Sequence, residues 1–129
     1  MKIIRPDGWP RPRGYAHAIA AAGTTVFISG QVGWDETGAF TATNLPGQVR
    51  RALENVVAIL AEAGGRPEHV ARMTWYVIDK RDYVANAAAI GAAYRAVMGK
   101  HYPAMSVVEV SALLEDQALV EIEATAVVP

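Results

Sequence analysis

Two carboxylates, Glu121 and Glu123, stand two positions apart near the end of the chain. The run that holds them, residues 118–128, is otherwise built from Ala, Val, Leu, Ile and Thr and contains neither Gly nor Pro. Such a run reads as a β-strand. Alternation then puts Ala118, Val120, Ile122, Ala124 and Ala126 on one face and Leu119, Glu121, Glu123, Thr125 and Val127 on the other. A carboxylate in mid-strand is costly if buried alone. The pair therefore either sits on a solvated face or meets arginines, as most glutamates do, or performs acid–base chemistry.

Ser29-Gly30-Gln31 follows a β-rich run, 25–29. Small and polar residues at a strand end, with a glycine that lets backbone approach closely, can line a ligand site, and can equally be turn chemistry. His17, His69 and His101 are scattered and lack the spacing of a helical zinc motif. No metal is expected. There is no Gly-rich phosphate loop and no assignable Ser-His-Asp set, and nothing asks for a cofactor. Lys100-His101-Tyr102 follows a helix end, where cations suit the helix dipole.

The elements that must position these residues fit one domain, 1–129, of which about half (52%) is hydrophobic, well above the disordered range. A domain of this length has little core to spare for a deep internal pocket, which favours a site built between subunits. The net charge is −1, from 12 basic and 13 acidic residues with no Lys/Arg run, so no nucleic-acid partner is expected. Arg5, Arg11 and Arg13 are divided by Pro6, Pro10 and Pro12 and read as a solvated, partly extended arm. The absence of cysteine excludes disulfides and thiol catalysis and fits a cytoplasmic setting. No secretory leader and no membrane span are expected.

Along the chain, short strands are predicted at 1–4 and 15–20. A turn at Gly23-Thr24 then joins the second of these to the 25–29 run as a hairpin. Asn44-Leu45-Pro46 opens a helix with Val49, Leu53, Val56, Leu60 and Ala63 at helical spacing, stopped by Gly64-Gly65. Residues 70–79, with Trp75-Tyr76-Val77-Ile78, predict a central strand. Residues 82–97 predict a second helix ending at Gly99, and 105–110 and 118–128 complete the set. The order β-β-β-α-β-α-β-β describes an α+β domain of two layers, with two helices on one face of a mixed six-stranded sheet. The other face, carrying Trp75 or its neighbours, Val107 and Leu119, is expected to be too apolar to stay wet, which predicts oligomerisation.

Taken in order, several segments resemble the Rid (reactive intermediate deaminase, YjgF-like) superfamily: Tyr15-Ala16-His17-Ala18-Ile19, Val26-Phe27-Ile28-Ser29-Gly30-Gln31, Gly38, the 48–65 helix, Trp75-Tyr76-Val77-Ile78-Asp79, Tyr94, Pro103-Ala104, and Val120-Glu121-Ile122-Glu123-Ala124-Thr125-Ala126. The resemblance spans nearly the whole chain. It implies a chorismate-mutase-like fold and a homotrimer with three clefts, each lined by two subunits. It further implies hydrolysis of imines or enamines to keto compounds and ammonia. Glu121 would be the water-positioning residue, and Tyr15, Ser29 and Gly30 would line the cleft.

The chain departs from the deaminating branch at three places. Met105 stands where that branch has an arginine that grips the substrate carboxylate, Gly91 where it has a helix asparagine, and Val107 lies two beyond the arginine position. Methionine offers neither cation nor N–H donor, so activity on small amino-acid imines is not carried over. Met105 and Val107 are expected to make an apolar cleft floor instead. Two readings follow. One is a deaminase of a larger or differently anchored enamine or imine, such as an aminomuconate-like compound, with Tyr15, His17, Ser29 or Lys100 meeting its polar groups. The other is a non-enzymatic trimer holding a small, mostly apolar molecule in the same clefts.

Overall fold

The protein is described by a computed structural model covering residues 1–129. Six strands and three helices follow in the order β1 (Lys2–Ile4), β2 (Ala18–Ala20), β3 (Thr24–Val32), α1 (Leu45–Glu62), β4 (Val70–Val77), α2 (Lys80–Ala85), α3 (Ala87–Met98), β5 (Ala104–Glu109) and β6 (Val120–Val128), with one 3-10 turn at Pro67–His69. This is the α+β, two-layer arrangement that the element order predicts, with these strands and helices where expected to within a few residues.

α1 forms for local reasons. Asn44 caps it, its Oδ1 accepting from the Gly47 N–H at 2.8 Å. Pro46 sits in the first turn, where no helical N–H is needed. Gly64, at φ +74°, ends the chain's helical path. The buried stripe Leu45, Val49, Ala52, Leu53, Val56 and Leu60 lies on the sheet. Each of its Leu and Val side chains contributes about 1.5–3 kcal/mol by leaving water.

Four strands form one sheet in the order β3-β6-β4-β5, with β4 and β5 parallel and the other pairs antiparallel. β1 and β2 make a separate two-stranded sheet, connected to the larger one through a bridge between Ala16 and Ala104. The expected six-stranded sheet is thus divided four and two. The expected hairpin from 15–20 to 25–29 does not form: β2 pairs with β1, and β3 pairs with β6. A turn signal at Gly23 reports a change of direction and says nothing about which strand lies alongside.

The expected second helix is interrupted at Asn86. Its side-chain amide donates to the Asp82 carbonyl at 2.9 Å and to Asp82 Oδ1 at 2.8 Å, and its backbone leaves helical geometry. α2 precedes the break, capped by Asp79, and α3 follows it. Val84, in α2, lies exposed.

α1 and α3 cover one face of the four-stranded sheet. The core between them holds Met73, Trp75, Val77, Ile90, Tyr94, Met98, Val120, Ile122, Ala124 and Ala126. Trp75 is therefore on the helix-covered face, edge-on to Tyr83 at 6.5 Å between ring centroids. Val107, paired with Trp75, and Leu119 pack against the same core. The expectation that these residues make the uncovered face apolar is corrected by the strand parity. The uncovered face carries Arg72, Thr74 and Tyr76 from β4, Ser106 and Val108 from β5, Glu121, Glu123 and Thr125 from β6, and Phe27 from β3. Of these, Phe27 is the large apolar side chain most in water, 81% exposed.

Candidate functional site

β6 delivers both glutamates to the uncovered face. Val120, Ile122, Ala124 and Ala126 are buried under the helices, while Glu121, Glu123 and Thr125 between them are half-buried on the other side. Register places Tyr76 opposite Glu121 and Thr74 opposite Glu123.

The two carboxylates have different surroundings. The Tyr76 hydroxyl donates to Glu123 Oε1 at 2.6 Å. That bond, with a smaller contribution from desolvation, holds the Tyr76 phenol above its ordinary pKa, because ionising it would forfeit the bond and set two negative charges side by side. The Glu121 side chain takes part in no hydrogen bond or ion pair within the chain. Its carboxyl group instead lies over the backbone of Gly30. A Cβ at position 30 would fall 2.7 Å from Glu121 Cδ, and closer still to Oε2. Gly30 belongs to a bulge in β3, between Ile28 and Gln31, where two residues face one on β6. The glycine is needed there for close approach.

Beside this pair lies a shallow hollow of about 370 Å³, lined by Phe27, Ser29, Arg72, Thr74, Glu123 and Thr125 among others. Ser29 and Glu123 thus line one hollow, and Gly30 lies against Glu121. The entry of β6 is held by Gln48, a polar residue buried to 2% exposure. Its Nε2 donates to the carbonyls of Ala42 (3.2 Å) and Gln117 (3.0 Å), and its Oε1 accepts from the Leu119 N–H (2.7 Å). Helix α1 is in this way clamped to the loop that leads into Glu121. The sequence reading missed Gln48 in this role. Its signal was a lone amide on an otherwise apolar helix stripe.

The remaining candidates lie elsewhere in the chain. Tyr15 lines a second, larger hollow of about 570 Å³ with Arg5, Arg11, His17, Lys100, His101 and Tyr102. Trp9 and Tyr15 flank the His17 ring edge-on, with centroids 5.2 and 5.5 Å away. Met105, paired with Met73, and Val107 are half-buried against the core on the helix side. Gly91 is on α3, where the Arg95 guanidinium folds over it: a Cβ there would lie 3.2 Å from Arg95 Nη1. One chain therefore brings Glu121, Ser29 and Gly30 together, and does not bring Met105, Val107 or Gly91 to them. Met105 and Glu121 occupy opposite faces of a single sheet, so Met105 is no floor beneath Glu121 of its own chain. No three His, Asp or Glu side chains converge as a metal would require, and no helix is long and apolar enough to cross a membrane.

Comparison with known proteins agrees with the fold. The family model described as endoribonuclease L-PSP matches residues 10–128. The chain is 36% identical over 127 residues to a RutC family protein of Pyrococcus abyssi, covering 97% of this chain and 95% of that one. It is 37% identical over 108 residues to the 2-iminobutanoate/2-iminopropanoate deaminase of Salmonella typhimurium, covering 81% and 80%. Its fold superimposes on a Rid-family protein of unknown function from Yersinia pestis with a TM-score of 0.87 at 35% identity, covering 98% of both chains.

Proposed function

Because the chain belongs to the endoribonuclease L-PSP (YjgF/Rid) family, we propose that it is a hydrolytic deaminase of an imine or enamine, with Glu121 holding the attacking water. The observation that carries this reading is the unpaired Glu121 carboxylate, lodged over Gly30 while Glu123 is engaged by Tyr76. A free carboxylate accepts a proton from water as the oxygen adds to the C=N carbon. It then returns that proton to the nitrogen. The resulting carbinolamine loses ammonia and leaves a carbonyl, so one water is consumed and one ammonia released. An enamine joins the same path after its carbon takes up a proton.

The substrate differs from a small 2-imino acid, because Met105 supplies no cation to grip its carboxylate. The working unit is a homotrimer. If Met105 and Glu121 border one cleft, they come from two chains, since within one chain the sheet separates them. The test is ammonia release by the purified protein over a panel running from 2-iminopropanoate to larger imines and aminomuconate-like enamines. Release above the spontaneous rate is expected for larger members and little for 2-iminopropanoate. Absence of release throughout, with apolar small molecules raising the melting temperature, would replace this account with a binding protein that uses the same clefts.

A further inference from the structure

The larger hollow carries permanent positive charge and no negative charge. Arg5, Arg11 and Lys100 line it, His17 and His101 join them, and no Asp or Glu is among its lining residues. Neither of the chain's ion pairs, Arg51–Glu36 and Arg66–Glu68, uses any of these cations. The pieces come from three parts of the chain: the arm after β1, the segment before β2, and the turn after α3. They are held together by backbone. β1 pairs with β2, and the Ala16 N–H donates to the Pro103 carbonyl at 2.9 Å. His101 is fixed by its Nε2 at 2.6 Å from the Val70 carbonyl.

The place of the hollow adds meaning to its charge. Ala16, which lines the hollow, bridges to Ala104, the first residue of β5, so the hollow lies beside the start of the strand that carries Met105. We infer that Arg5, Arg11 and Lys100 form an anion seat, and that the substrate is a dicarboxylate both of whose carboxylates the seat holds. This rests on the deaminase reading for the word substrate, while the seat itself stands on the lining residues alone. A volume of about 570 Å³ admits a chain of several carbons. Three cations without counter-charges favour a dianion over a monoanion, and charge-assisted bonds to guanidinium forks favour carboxylate.

Calorimetric titration of the full-length protein tests this without turnover. The probes are adipate, hexanoate and inorganic phosphate. Adipate is expected to bind at least ~10-fold tighter than hexanoate and to weaken as salt is raised. Arg5→Ala combined with Lys100→Ala is expected to cost adipate ~10–100-fold, and Arg50→Ala, on the exposed side of α1, to cost nothing. Equal affinity for adipate and hexanoate, phosphate bound as tightly as adipate, or adipate binding untouched by the double variant would each overturn the seat. The two readings fail separately. Adipate binding by a protein that releases no ammonia keeps the seat and removes the deaminase, and ammonia release without adipate binding does the reverse.

Discussion

The carboxyl group of Glu121 rests on the bare backbone of Gly30, so close that a methyl group at position 30 would fall 2.7 Å from Cδ. Two strands, β3 and β6, meet here at a bulge, and the missing side chain is what lets the acid lie across it. Gly30→Ala is therefore expected to push the carboxylate aside while leaving the fold in place, since Gly30 has no positive φ to be strained. A displacement near 1 Å costs catalysis about 100-fold. Steady-state kinetics on whichever imine or enamine the panel identifies, with circular dichroism to verify folding, checks this.

Gln48 ties α1 to the entry of β6 through three hydrogen bonds, at 2% exposure. Gln48→Leu keeps the volume but strands the Leu119 N–H and the Gln117 and Ala42 carbonyls. Each buried orphan costs ~1–3 kcal/mol, so a loss of about 2–4 kcal/mol is expected from urea denaturation once some carbonyls find water. A change below ~0.5 kcal/mol would show that the clamp is ornamental.

Three tyrosines resist ionisation. Tyr76 is held up by donating to Glu123, Tyr83 by burial, and Tyr94 by burial and then by its neighbour Tyr102. In the unfolded chain all three titrate near ~10. Above that pH the unfolded chain releases protons that the folded chain retains, so folding stability is complete below about pH 10 and declines as pH rises beyond it. Urea midpoints at rising pH, followed beside tyrosinate absorbance, are expected to show this fall. A flat profile through pH 11 would contradict it.

Phe27 stands 81% exposed on the uncovered sheet face. If the proposed homotrimer uses this sheet face, the Phe27 ring is the apolar group there with most to gain by leaving water. Light scattering is expected to give three times the 13.8 kDa chain mass, and Phe27→Asp to shift the protein toward monomer. A wild-type monomer would remove the shared cleft.

Much of this was legible in residues with local consequences. Asn44, Pro46 and Gly64 bound α1 because caps act within a turn. The alternation of Val120-Glu121-Ile122-Glu123 set both glutamates on one face. What stayed hidden depends on partners distant in sequence. Met105-Ser106-Val107-Val108 does not alternate cleanly, so only its register with Met73 and Trp75 decides that Met105 and Val107 face the helices. Glu121 and Glu123 look alike until Tyr76 and Gly30 are brought against them. Arg5 and Arg11 are exposed, as a solvated arm requires, and the hollow they share with Lys100 stayed hidden because Lys100 lies far along the chain. Asn86 broke an Ala-rich helix through one side chain, which no periodicity reveals.

The division of labour between the two glutamates is the central claim, and Glu121→Gln set beside Glu123→Gln measures it. On a turned-over imine or enamine, Glu121→Gln is expected to lower kcat by ~100–10,000-fold, the usual worth of a positioned acid–base group. Glu123→Gln, which keeps an acceptor for Tyr76, is expected to lower it less than ~10-fold. Equal losses in the two variants, or full activity without the Glu121 carboxylate, would contradict the account.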